Sequence, residues 1–205
     1  MPSPELVSAI SDAVLALAGV VTAGVAIVGV KSWARELRGR ATFEAARSLV
    51  RATYKLREAM RIARSPLIRA HEFPEDYEHS PRQQSNEAES RAYAHVFNRR
   101  LAPMWDAFDD FDAQTLEAEA LWGPVIRTKT DLLRAAVRKL AAAAEAFVDN
   151  EASGRENFAS DQEFGRRIRS DVFAGADPKG NELSEAVAAA VKAIEDELRP
   201  HLRQA

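Results

Sequence analysis

The densest group of side chains able to do chemistry is His71, Glu72, Glu75, Asp76, Glu78 and His79, two imidazoles and four carboxylates within nine residues. Imidazole nitrogens and carboxylate oxygens are the donors that hold zinc and other divalent ions. The spacing does not match a metal helix. A His-Glu-x-x-His pattern needs His at position 75, where Glu stands, and Pro74 opposes a helix through the group. The segment reads as a solvated acidic loop, and no metal ligand is assigned to it. A second acidic group, Asp106, Asp109, Asp110 and Asp112, interleaves with Trp105, Phe108 and Phe111 and reads as the wet side of an amphipathic helix. Di-iron helical proteins use Glu-x-x-His, which is absent.

Nucleophilic catalysis finds equally little. There is no Cys, no Ser lies in a Gly-x-Ser-x-Gly setting, and no glycine-rich loop could cradle phosphate. His95 falls within a helical pattern and His201 follows Pro200, so both read as packed or solvated side chains. Arg166, Arg167 and Arg169 form a short basic run, but Asp161, Glu163 and Asp171 surround it. No catalytic residue and no cofactor follow from these residues, and the expectation is a protein that is not an enzyme.

The chain around these groups has 205 residues, 46% apolar and 29% charged, enough to bury a core. A net charge of −3 predicts no nucleic-acid partner, since such domains carry a strongly basic face. The average conceals a division. Residues 31–70 hold eleven Lys and Arg against three Glu, residues 71–123 hold four Arg against twelve acids, and residues 124–205 are near balance. Opposite charge on the first two segments predicts that they pair.

The first thirty residues differ from all the rest. Between Leu6 and Val30 there is one charge, Asp12, and from Ala13 to Val30 there is none. About 20 apolar residues in a helix cross the ~30 Å hydrocarbon core. Residues 6–30 are therefore a transmembrane helix rich in Ala and Gly, with Asp12 near the outer interface where it reaches water. A cleaved signal would need basic residues before the apolar run, and only Glu5 is charged there. Lys31, Arg35, Arg38 and Arg40 follow the run, with Trp33 as an interfacial aromatic, so the positive-inside rule predicts an outer amino terminus and a cytoplasmic carboxyl side. Ala18, Thr22 and Ala26 repeat at four-residue spacing, a stripe on which a second helix could pack closely.

From residue 31 to 205 the periodicity is helical, with no alternating strand signal. Thr42, Ala46, Leu49, Thr53, Leu56, Met60 and Ala63 form the seam of a first helix, continuous with the span because no proline lies between Pro4 and Pro66. A loop at 65–85 carries Pro66, Pro74 and Pro81. Asn86, with Glu89 three residues on, predicts the cap of a second helix. Its seam is Tyr93, Phe97, Leu101, Met104, Phe108, Phe111, Thr115, Ala118 and Trp122, kinked at Pro103 and stopped by Gly123-Pro124. Ile126, Thr130, Leu133, Val137, Leu140, Ala144 and Phe147 mark a third helix. Residues 153–180 read as a connector with one helical piece at Phe164, Ile168 and Val172. Asn181 caps a last helix with Leu183, Val187, Val191, Ile194 and Leu198 inside, stopped by Pro200. The predicted fold is all-α: an amino-terminal transmembrane helix in a segment 1–30, continuing into a cytoplasmic antiparallel bundle of about four helices over 31–205.

The stretch Lys31-Ser32-Trp33-Ala34-Arg35-Glu36-Leu37-Arg38-Gly39-Arg40, continuing to Arg51-Ala52-Thr53-Tyr54-Lys55-Leu56-Arg57, and the ending from Glu195 to Leu202, with Leu198-Arg199-Pro200-His201-Leu202, resemble bacterial proteins with one amino-terminal membrane helix and a cytoplasmic helical domain. The resemblance implies an anchored helical protein of the inner membrane and carries no activity with it. The function expected from the sequence is an anchored interaction or scaffold protein. Its partners would be the bilayer, anionic lipid headgroups at Lys31, Arg35, Arg38 and Arg40, another protein, and through the small-residue stripe a second copy of the chain. The alternative is an oligomeric pore or membrane-perturbing effector with the cytoplasmic helices as its sensor.

Overall fold

A computed structural model describes residues 4–77, 85–175 and 180–203. It is all-helical, with no strand among the described residues. Helix α1 runs unbroken from Pro4 to Ala63, 60 residues, or about 90 Å at 1.5 Å per residue. It passes the 30/31 boundary without interruption. Nothing in the intervening sequence removes a backbone donor, and Pro66 then stops it.

Helix α2 spans Asn86–Trp122 and α3 spans Pro124–Ala152, joined at Gly123. Gly123 takes φ 78°, a left-handed conformation open to glycine, and its N–H closes α2 on the Glu119 carbonyl at 2.8 Å. The cap of α2 is Ser85 rather than the expected Asn86. The Ser85 backbone is extended and its hydroxyl accepts from the Ala88 N–H, whereas Asn86 is already helical. Glu89 thereby loses its capping position and pairs with Arg155 at 2.6 Å. Helix α2 continues through Pro103.

The expected connector holds more structure than its irregular pattern suggested. It forms the short helix α4, Glu156–Ser160, and α5, Gln162–Val172, which Asp161 caps by accepting from the Phe164 N–H at 2.9 Å. Gly165 permits the two to touch, since a Cβ there would lie 2.8 Å from the Phe158 Cβ. Helix α6, Glu182–Leu202, starts at the predicted cap Asn181, whose side chain accepts from the Ser184 N–H. It does not stop at Pro200. A proline this near the end forfeits one bond of the last turn, and the helix closes two residues later. The loop after α1 contains one 3-10 turn, Ala70–Glu72; Glu78, His79 and Pro81 lie outside the described residues.

The carboxyl-terminal part of α1 shares one core with α2, α3 and α6, built from Leu49, Leu56, Met104, Phe111, Leu133, Leu140, Leu183 and Ile194 among others. Every predicted seam position is buried or half-buried. Polar contacts give the directions: Lys55 meets Asp110 and Arg100 meets the Ser65 carbonyl, so α2 returns along α1. Tyr54 meets Glu195 and Arg64 meets Ser184, so α6 does likewise. A second cluster, Phe97, Phe147, Phe158, Ile168 and Val172, packs α5 on α2 and α3, with Phe147 edge-on to Tyr93, Phe97 and Phe173.

Helices α1 and α2 pair as expected, but through their apolar seams more than through charge. Among the described residues, Lys55–Asp110 is the ion pair between those helices, and it is exposed. Asp112 and Glu119 pair instead with Arg134 and Arg127 of α3, which the single-residue turn at Gly123 joins to α2. Arg61 folds back on Glu58, and Arg57 lies over the Tyr54 ring.

Candidate functional site

Among the described residues, the first buried one of α1 is Ala45. Before it the helix leaves the core, and from 15 to 41 every side chain described is exposed except the half-buried Ala34. This projecting part is long and apolar enough to cross a membrane, and none of its apolar window is buried. Leu15, Leu17, Val21, Val25, Val28 and Val30 all stand clear of protein. The Thr22 hydroxyl donates to the Ala18 carbonyl at 2.8 Å, so its one polar hydrogen is satisfied inside the helix, as an apolar medium requires.

The register of α1 divides the basic cluster. Lys31, Arg35 and Arg38 precede Thr42, Ala46, Leu49, Thr53, Leu56, Met60 and Ala63 at continuing steps of four and three. At about 100° per residue they form one stripe with the buried seam. On leaving the core, the stripe changes from apolar to basic. Arg40 falls on the opposite face and is held by Glu36 at 2.7 Å. Trp33, 64% exposed, shares that opposite face with Ala18, Thr22 and Ala26. The four cations and the tryptophan thus form a collar with two sides, the three-cation side above the domain. A groove of about 770 Å³ lies where α1 leaves the core, lined by Arg35, Gly39, Arg40, Phe43 and, from the end of α6, His201. His201 stacks on Trp122 at 4.4 Å.

The remaining candidates are taken up structurally. Glu72 receives Arg100, whose guanidinium also donates to the carbonyls of Ser65 and Leu67. The Arg100 hydrogen bonds hold the Glu72 carboxyl down at about 2. His71, Glu75 and Asp76 are exposed, and no group of three or more His, Asp or Glu among the described residues is disposed to hold a metal ion. Asp106 and Asp109 face solvent, as does His95. Arg167 and Arg169 lie over the Phe164 and Phe158 rings.

Sequence reasoning missed Arg64, 4% exposed at the end of α1. Its Nε donates to the Asp171 carbonyl, Nη1 to Ser184 Oγ, and Nη2 to the Ser170 carbonyl and Asn181 Oδ1, at 2.7–3.1 Å. Burial pushes its pKa below the usual value, and the nearby Asp171 acts against that. The available signal was its place four residues after Met60, a seam position occupied by a cation. Compared with known proteins, the chain matches no family model, no curated protein and no solved structure.

Proposed function

We propose that this chain is a membrane-anchored interaction or scaffold protein, in which the first half of α1 crosses the inner membrane once and the rest forms an antiparallel bundle of four principal helices on the cytoplasmic side. The observation that carries the reading is that a continuous helix leaves the core and stays apolar for a bilayer's width, with three cations between the apolar stretch and the core. Positive charge on the domain side favours an outer amino terminus. Each cation near anionic headgroups gains about 1 kcal/mol, so the collar adds affinity without chemical selectivity. The reading assigns no catalytic step. A protein partner would bind the cytoplasmic helices.

Carbonate extraction of membranes tests the anchor. The full chain is expected to stay in the pellet, and a fragment beginning at Lys31 to be soluble and strongly helical. Full-length protein in the carbonate supernatant would end the reading. A cytoplasm-only reporter fused after Ala205 is expected to be active; an active exterior-only reporter there would reverse the topology.

The second reading, an oligomeric pore, is favoured by one observation. Ala18, Thr22 and Ala26 are exposed on the face of α1 turned away from the domain side, so spans could approach one another there without their domains colliding.

A further inference from the structure

We infer that the turn joining α2 and α3 is a second membrane contact, which rests on an anionic bilayer surface when α1 spans it. This inference rests on the anchor reading. Three features of the molecule converge on it. The stripe carrying Lys31, Arg35 and Arg38 is the outward continuation of the α1 seam, which packs on α2 and α6 and shares one core with Ile126 and Leu133 of α3, so the cations face the side of α1 on which the domain and its α2–α3 turn lie. Cations drawn to headgroups pull that side of the helix toward the bilayer and bring the turn with them.

The turn itself presents what an interface accepts. Leu121 and Val125, 47% and 49% exposed, flank Gly123, and Trp122 is half-buried against His201 beside them. Trp and its apolar neighbours favour the headgroup boundary, where an aromatic ring keeps one edge wet. Glu119, the nearest acid on α2, is neutralised by Arg127 at 3.2 Å, which lowers the repulsion from anionic lipid.

The distances set the posture. The groove shared by Phe43 and His201 puts the turn end of the domain near residue 43 of α1. That level is about 20 Å beyond Val30 along the helix, and the headgroup layer covers only about 5–7 Å of it. An upright helix would leave the turn in water. Membrane helices tilt over a range of about 0–40°, and the upper part of that range, directed toward the seam side, brings a turn one or two helix widths from the α1 axis to the headgroups. The contact therefore requires a strongly tilted α1.

The absence of cysteine makes the test direct. Single variants Leu121→Cys, Val125→Cys, Val25→Cys and Leu67→Cys of the full chain are labelled with an environment-sensitive fluorophore and reconstituted into anionic phospholipid vesicles carrying a lipid-attached quencher. Leu67 is exposed just after α1, at the opposite end of the domain, and reports water. The expected result is loss of emission at 25, 121 and 125, with 67 unaffected. Emission at 121 and 125 matching that at 67, with 25 quenched, overturns the second contact and leaves the anchor intact. Unquenched emission at 25 overturns both. Leu121→Asp with Val125→Asp, read by a label at Ala120→Cys, supplies the converse. Quenching there is expected to be lost with 25 still quenched, and persistence would overturn the inference.

Discussion

Arg64 Nη2 donates to Asn181 Oδ1 at 2.8 Å, across 117 positions of sequence. That bond joins the end of α1 to the cap of α6, because the same Asn181 oxygen accepts from the Ser184 N–H. Asn181 Nδ2 in turn reaches the Ser170 carbonyl and hydroxyl, and the Arg64 carbonyl accepts from the Ala174 N–H. Three segments distant in sequence meet at one cation, each of whose three nitrogens donates, and no side-chain polar atom among the described residues is left buried without a partner.

Arg64→Met should therefore be expensive. It fills the space but strands the buried carbonyl of Asp171, at about 1–3 kcal/mol, and leaves the Ser170 carbonyl to Asn181 Nδ2 alone. A total loss near 3 kcal/mol is expected in urea unfolding of the detergent-solubilised chain. Arg64→Lys should recover only part of it, because one ammonium cannot reach acceptors spread around a planar fork. Asn181→Ala removes the α6 cap and one acceptor, for about 1–2 kcal/mol, and in a double variant the two losses should not add. Additivity would show that the two groups act separately.

Glu72 gives the domain an acid-sensitive clasp on the loop after α1. Its folded pKa, held at about 2 chiefly by Arg100, lies below that of a free carboxylate. A depressed carboxylate stabilises the fold above its unfolded pKa, and the contribution disappears as pH falls through the folded value. The window is thus from about 4.5 down to about 2, and the contribution is on the order of 3 kcal/mol at neutral pH. Glu72→Gln should lower stability at pH 7 and flatten the stability profile across that window. An unchanged slope would mean that the carboxylate is not held by Arg100 in solution.

These two sites mark the limits of the sequence. The seams of α1, α2, α3 and α6 were legible because steps of three and four repeat over many turns, and Gly123-Pro124 and Asn181 are local signals that need no tertiary partner. The cap of α2 was misplaced by one residue because Ser85 and Asn86 are both good caps, and only backbone conformation separates them. The piece at α4 and α5 was half-seen, since it is short and its Phe158 and Phe164 pack against aromatics far away in the chain. Arg64 and Glu72 do not stand out from the other charges in the sequence, because a held charge is recognised by its partners, which lie 28 residues away for Glu72 and more than 100 for Arg64. The four cations of the collar follow the apolar run as one cluster in sequence, and the α1 register separates Arg40 from Lys31, Arg35 and Arg38.

The span is the part most easily abolished by one charge. It is Ala- and Gly-rich, so its insertion is only weakly favourable, and an Arg near the midplane costs about 2.5–3.5 kcal/mol on the insertion scale. Val21→Arg is expected to move most of the protein into the carbonate supernatant. Reversing the collar with Lys31→Glu, Arg35→Glu and Arg38→Glu acts differently. It should leave a soluble domain unaltered, invert or scramble the reporter topology, and remove about 3 kcal/mol of attraction to anionic vesicles. Arg40→Glu alone should do much less, since Arg40 faces away from the stripe and is already paired with Glu36. Equal effects of Arg38→Glu and Arg40→Glu would show that the collar is not sided.

Whether the span only anchors is decided on its small-residue face. Ala18, Thr22 and Ala26 lie with Trp33 on the side of α1 opposite the domain stripe, and the Thr22 hydroxyl is satisfied within its own helix. That face offers close approach but no polar lining, and helix association in lipid depends on such approach because lipid tails are as apolar as the side chains. Ala18→Leu with Ala26→Leu keeps the segment apolar while pushing neighbouring helices apart. For an anchor, the double variant should insert as well as the parent, and vesicles holding either protein should retain a trapped dye equally. A pore would behave otherwise: the parent would release the dye, and the variant, equally inserted by carbonate extraction, would not. The anchor is the outcome expected, because a pore needs a wet stripe, and the exposed residues from Leu15 to Val30 present only the internally bonded Thr22 hydroxyl.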